Sequence, residues 1–283
     1  MNDWQKLHEE NRLSWNAATL AHNSHKKDQA AFLRDGGSTL FPEEIELLGK
    51  IEDLRLVHLQ CNSGQDTLSL THLGAKVTGV DISDEAIAFA TRLSEDSGVP
   101  AEFERADVYD WLEKAPPASF DIVFCSYGAI CWLSDLKRWA QGVAKVLAPG
   151  GRFVDIEFHP VAMIFDDDWN HRYNYFAEGN VLTWEEGIRD YVALSGEGLS
   201  LSGYEEGIKD FQNPHRCHEF QWATSEILTA LIEAGLHIEV FKEYPYANGC
   251  RLWSDMQETE GRRMWPPENK PNLPLMYSIV ARK

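Results

Sequence analysis

The chain has 283 residues, of which 43% are hydrophobic, 25% charged and 11% aromatic, a globular composition long enough to bury a core in one large domain or two small ones. Its formal net charge of −19 and the lack of a Lys/Arg patch exclude the electrostatic footprint of a nucleic-acid binder and disfavour an anionic membrane surface. No run approaches the ~18 apolar residues of a membrane span, and the polar start Met1-Asn-Asp-Trp-Gln-Lys holds no signal-peptide core. The five cysteines (Cys61, Cys125, Cys131, Cys217 and Cys250) form no Cys-x-x-Cys pair. Reduced thiols used as small buried hydrophobes, a cytoplasmic location and no metal site are therefore expected.

In chain order, residues 1–54 read as a helical N-terminal segment, with Leu13, Trp15, Ala18 and then Leu40, Ile45 and Leu48 at helical spacings. From Arg55 the texture changes to short apolar runs alternating with helical stretches. The runs are Leu56–Leu59, Lys76–Asp81, Ala101–Asp107, Phe120–Ser126 and Arg152–Phe158; helices are expected over Thr67–Leu73, Asp84–Ser97 and Asp135–Leu147. Such alternation predicts βαβ units and a mostly parallel sheet. Ligands of these sheets sit outside the carboxyl ends of the strands. The polar residues at those ends are Gln60 to Gly64, Asp81, Asp107 and Ser126.

Between residues 159 and 222 the alternation stops. This stretch is rich in aromatics, and from Asp155 to Asp210 thirteen acidic residues face three basic ones. It is too aromatic for a disordered linker, and an inserted cap over the site is expected. The α/β pattern resumes over residues 223–283, with a helix from Ser225 to Ala234, a strand His237–Phe241, a Pro-rich excursion and a last strand Leu275–Ala281.

The chain resembles the class I S-adenosylmethionine-dependent methyltransferases from about Leu56 onward. The first motif is His58-Leu59-Gln60-Cys61-Asn62-Ser63-Gly64-Gln65-Asp66. It departs from the family's usual Asp-x-Gly-x-Gly-x-Gly and resembles a variant subgroup with His-Leu-Gln-Cys followed by Gly-x-Asp. Val77-Thr78-Gly79-Val80-Asp81 resembles the second motif, Ala106-Asp107-Val108 the third, and Phe120–Phe124 with Leu147–Gly151 the fourth strand and the turn before the fifth. Tyr277–Val280 resembles the antiparallel seventh strand. The resemblance implies a seven-stranded, mostly parallel Rossmann-like sheet with an antiparallel last strand. It implies S-adenosyl-L-methionine as cofactor, and S-adenosyl-L-homocysteine as product.

The expected donor contacts are Gln60, Asn62, Gly64, Asp66, Asp81, Ile82, Asp107, Val108 and Ser126. Asp81 is read as the ribose acceptor and Asp107 as the adenine contact, against helix capping or turn chemistry for either. His58 is either a hydrogen-bonded core histidine or a ligand, and Asp66 either caps its helix or serves the donor. A base is needed only where the acceptor must lose a proton; His159 is the first candidate, with Glu157 two residues earlier on the same strand face. Trp15, Tyr127, Trp132, Trp169 and Tyr173 are the expected acceptor-side aromatics. A nucleotide-binding dehydrogenase is one rival, but it wants Gly-x-Gly-x-x-Gly after the first strand, which Gln60 to Gly64 does not supply. A degenerate, donor-binding sensor or scaffold is the remaining rival. The expected partner is a small neutral or cationic acceptor with aromatic character, and the chain is read as either a monomer or a homodimer.

Overall fold

The computed structural model describes residues 3–283, and Met1 and Asn2 lie outside them. Three helices lead the chain: α1 (Asp3–Ser24), α2 (Gln29–Arg34) and α3 (Pro42–Leu48). The alternating region follows as β1 (Arg55–Leu59), α4 (Gln65–His72), β2 (Lys76–Asp81), α5 (Asp84–Ser97), β3 (Glu102–Arg105), α6 (Val108–Lys114), β4 (Phe120–Ser126), α7 (Leu136–Val146) and β5 (Leu147–Phe158). Local chemistry sets several of these boundaries. Ser83 accepts a hydrogen bond from Ala86 N–H at the start of α5, and Asp135 accepts one from Arg138 N–H at the start of α7, each satisfying an orphan donor of a first helical turn.

After β5 come β6 (Asn180–Trp184), α8 (Tyr191–Ser195), β7 (Cys217–Gln221), α9 (Thr224–Glu233) and β8 (His237–Tyr244). The chain ends with β9 (Ala247–Asn248), β10 (Gln257–Thr259), β11 (Arg263–Trp265) and β12 (Met276–Arg282). The main sheet has seven strands in the order β3-β2-β1-β4-β5-β12-β8. Strands β1 to β5 pair in parallel, and β12 runs antiparallel to both neighbours. The expected sheet is therefore observed. β6 and β7 form a separate antiparallel pair, and β9, β10 and β11 a small sheet. That last sheet lies between the expected strand His237–Phe241 and the Pro-rich excursion, over residues for which no element was read from sequence. β5 starts at Leu147 rather than Arg152, so Pro149-Gly150-Gly151 lies within the strand, with a register shift against β4.

Two apolar layers cover the sheet. On one face Trp139, Val143, Phe153, Leu231, Tyr277 and Ile279 pack together, and on the other Leu48, Ile51, Leu56, Leu70, Phe124 and Ile156 do so. The buried positions of α7 (Leu136, Trp139, Ala140, Val143 and Val146) recur at helical spacing. Asp155 is the exception in this core, fully buried on β5. Burial, then the charge of Glu157, pushes its carboxyl well above the ordinary value of 3.8. A raised folded value means that its contribution to stability is present below about pH 4 and is lost as pH rises. Asp155→Asn is thus expected to gain stability relative to the parent as pH rises from about 4 to about 8 in urea melts; a difference that stays constant would contradict this. Among the described residues no helix is long and apolar enough to cross a membrane.

Candidate active site

The carboxyl ends of β1, β2, β3 and β4 open into a cavity of about 690 Å³, walled also by α1, by the segment after β5 and by the loops around β9. Its volume lies within the range of small-molecule and cofactor sites. Two turns make the floor. Gln60 (φ 55) and Asn62 (φ 48) both take left-handed backbone conformations after β1, which non-glycine residues adopt only where the surroundings enforce it. This bend points Asn62 N–H at Asp81, whose Oδ2 accepts it at 2.9 Å, while Asp81 Oδ1 accepts Ser83 N–H at 2.8 Å. Burial nevertheless pushes the Asp81 carboxyl up to about 6.

Gln60 donates from Nε2 to the Ala129 carbonyl at 2.7 Å. Its Oε1 is buried with no hydrogen-bond partner among the described residues, an acceptor left for something that enters the cavity. His58 also borders the cavity, with Nδ1 3.0 Å from Thr67 Oγ1 and Nε2 3.3 Å from Ser126 Oγ. Burial pulls its pKa down to about 4, so the ring is neutral. Asp107 starts α6, accepting Tyr109 N–H at 2.8 Å, and also accepts from His8 Nδ1 at 2.7 Å. Burial is the largest single effect and would raise Asp107, but the His8 hydrogen bond and charge together with the Tyr109 and Asp110 N–H groups outweigh it and hold the carboxyl below its usual range.

The cavity wall includes Gln60, Asn62, Asp66, Asp81, Ile82, Asp107, Val108 and Ser126 of the expected donor contacts. Gly64 is a correction: it lies off the wall. With φ +78 it starts α4, and a Cβ there would meet Ala90 Cβ at 2.6 Å and the Phe103 ring at 2.9 Å. Its role is close packing of helix against helix in a left-handed turn. Gly64→Ala is expected to cost about 1–3 kcal/mol, read from the denaturation midpoint; an unchanged midpoint would show that the turn relaxes freely.

Of the aromatics expected on the acceptor side, Trp15, Tyr127, Trp132 and Tyr173 line the cavity. Trp169 does not, which corrects the sequence reading. It stacks on Trp253 with centroids 3.7 Å apart and donates from Nε1 to Asp255 at 3.0 Å, so aromatic packing holds it in the outer wall of the small sheet. His159 is also corrected. It is buried off the cavity, where Nδ1 accepts Val161 N–H at 3.1 Å and Nε2 donates to Glu243 Oε1 at 3.0 Å. β5 ends at Phe158, and although Phe158 and Pro160 on either side line the cavity, the His159 ring is turned to Glu243 instead. Glu157 lines the cavity, but its carboxylate accepts backbone N–H groups of Gly128, Ala129, Ile130 and Phe158. Those bonds fix the loop after β4, which is positioning work.

Sequence reasoning missed His8 and Asn11, which with Trp15 and His22 make the cavity face of α1; their spacing of three, four and seven is helical and could have been read. It missed Lys26 too, which lines the cavity two residues past the end of α1. It also missed Asn248 and Arg262, which the small sheet folds back into the wall. Lys26 is pulled down to about 8 by burial.

Residues 57–151 match a methyltransferase domain family, and every expected donor contact from Gln60 to Ser126 falls inside that span. The chain is 27% identical over 165 residues to a ubiquinone biosynthesis O-methyltransferase of Rhizobium etli; the match covers 58% of this chain and 63% of that relative, less than two thirds of its length. It is 35% identical over 113 residues to an S-adenosyl-L-methionine-dependent Diels-Alderase, iccD, of Talaromyces variabilis, covering 38% of each chain. Among solved structures, an S-adenosylmethionine-dependent methyltransferase of Mesorhizobium loti shares the fold with a TM-score of 0.53 at 23% identity, over 88% of this chain and 99% of that one.

Proposed function

We propose that this chain, which carries a class I methyltransferase domain, is an enzyme that transfers a methyl group from S-adenosylmethionine to a small-molecule acceptor. The observation that carries the reading is the strand-end floor inside the matched domain: Asp81 at the end of β2, braced by Asn62 and Ser83 N–H, beside the unpartnered Gln60 Oε1. A carboxylate at this position suits two ribose hydroxyls, and a buried lone acceptor suits an ammonium group. The cavity volume also suits the donor together with a small acceptor. These residues fit the donor.

When bound, S-adenosylmethionine supplies a methyl group on a positively charged sulfur, an electrophile that calls for alignment more than for acid or base chemistry. Asp81 and Gln60 hold the donor, with Asp107, Ile82 and Val108 at the β2 and β3 ends for its base. Glu157 holds the β4 loop rigid through its backbone bonds, so Ser126 and Tyr127 keep a fixed position on the wall. Residues 159–222 act as the lid, and Trp15, Trp132 and Tyr173 offer ring faces to the acceptor. The acidic balance of the lid favours a neutral or cationic acceptor over a polyanion. Calorimetry with S-adenosylhomocysteine and with NADH tests the donor: binding of the first and not the second is expected, and the reverse would return the chain to the dinucleotide enzymes.

A further inference from the structure

The lid brings four acidic residues to the cavity wall (Asp167, Glu186, Asp190 and Glu219) and one basic residue, Arg189, and β5 adds Glu157. Most of these charges are already matched. Glu157 is saturated by backbone N–H groups, Asp167 pairs with Arg189 at 2.8 Å, and Asp190 pairs with His25 at 2.8 Å and accepts Ala193 N–H. Glu186 is exposed. Glu219 differs from all four: it is half-buried on β7 and, among the described residues, in no salt bridge. Its Oε2 accepts Trp184 Nε1–H at 2.9 Å, and its Oε1 has no hydrogen-bond partner among the described residues.

The surroundings of Glu219 are aromatic. Its neighbour on the same face of β7, Cys217, packs among Trp15, Trp132 and Trp184. Trp15 and Trp132 meet edge to face with centroids 5.5 Å apart, and Tyr173 meets Trp184 likewise at 6.0 Å. All four rings line the cavity. Ring faces carry negative potential, so rings gathered around one half-buried carboxylate attract a positive charge that is poorly hydrated.

We propose that Glu219, with Trp15, Trp132, Tyr173 and Trp184, forms a seat for a cationic nitrogen, and that the acceptor molecule is an amine. The proposal rests on the reading of this cavity half as the acceptor side, and it narrows the acceptor class from neutral or cationic to cationic. Burial pushes the Glu219 carboxyl up, against the lowering effects of the Trp184 hydrogen bond and the Arg189 charge. An entering ammonium would offset that cost, because the carboxylate would gain a counter-charge in contact, where its direct partner is now the neutral Trp184 N–H alone. Trp184 fixes one carboxylate oxygen and leaves the other free to accept from N–H.

Tryptophan fluorescence titration in saturating S-adenosylhomocysteine tests the seat, using phenethylamine, neutral 2-phenylethanol and anionic 3-phenylpropanoate as probes. Phenethylamine is expected to bind at least about tenfold tighter than 2-phenylethanol, as a charge-assisted bond to a sheltered carboxylate allows, with 3-phenylpropanoate weakest. Glu219→Gln keeps an acceptor for Trp184 and should bring amine and alcohol to within about twofold. Equal affinity of the two probes for the parent protein overturns the seat without reference to any variant, as does failure of phenethylamine to bind. A preference that survives in Glu219→Gln also overturns it. Retained S-adenosylhomocysteine binding in these cases confines the failure to the seat, whereas its loss in the parent protein would remove the donor reading itself.

Discussion

Asp81→Ala is expected to weaken S-adenosylhomocysteine at least about tenfold in calorimetry while leaving the fold intact. Each charge-assisted hydrogen bond to a ribose hydroxyl is worth about 1.5–3 kcal/mol, and the residue's own bonds are to two backbone N–H groups rather than to the core. The pH dependence follows from the same burial. With its pKa raised to about 6, Asp81 is ionised above that pH and loses acceptor strength below it. Donor affinity should therefore fall as pH drops through about 6, and Asp81→Asn should flatten that fall. The sign for the unliganded fold is opposite: a raised pKa makes ionisation a cost that grows as pH rises through the same range. Unchanged affinity in a folded Asp81→Ala protein would take the ribose role from this residue.

Replacing Val161 to Gln221 with a short linker is expected to abolish turnover while S-adenosylhomocysteine binding stays measurable. The segment supplies β6 and β7, which carry Leu182, Trp184, Cys217 and Glu219 to the cavity wall, and its loss opens the acceptor side to water. The floor at Asp81 and Gln60 comes from the retained sheet. Some donor affinity will go, because α1 packs on β7 and also reaches the floor through Asn23, which donates to Ser63 Oγ at 2.9 Å. Full activity in the shortened protein would show that the lid plays no part in the reaction.

The sheet was legible because its signals are local. β2, α5 and β4 each follow an apolar run or helical spacing closed by a residue with its own reason to be there, such as Ser83 as cap or Gly98 as left-handed stop (φ 73). Strands of two or three residues carry no readable period, so β9, β10 and β11 were passed over. The site divides the same way. Asp81 and Asp107 stand on the cavity wall because a strand end fixes where a side chain goes. His159 and Trp169 lie beyond the last regular residue of β5, where the face taken depends on distant partners, Glu243 for one and Trp253 for the other. Lys26 and Arg262 reach the cavity from opposite ends of the chain, and nothing in their own neighbourhoods marks them.

The most direct measurement is transfer of tritium from methyl-labelled S-adenosylmethionine into a pool of small organic acceptors, run in parallel for the parent protein and Asp81→Ala. The proposed function predicts label in the small-molecule fraction with the parent protein, and little with the variant. Donor that binds yet keeps its label across amine, phenol, thiol and carbon acceptors would contradict it and leave a protein that senses S-adenosylmethionine without using it.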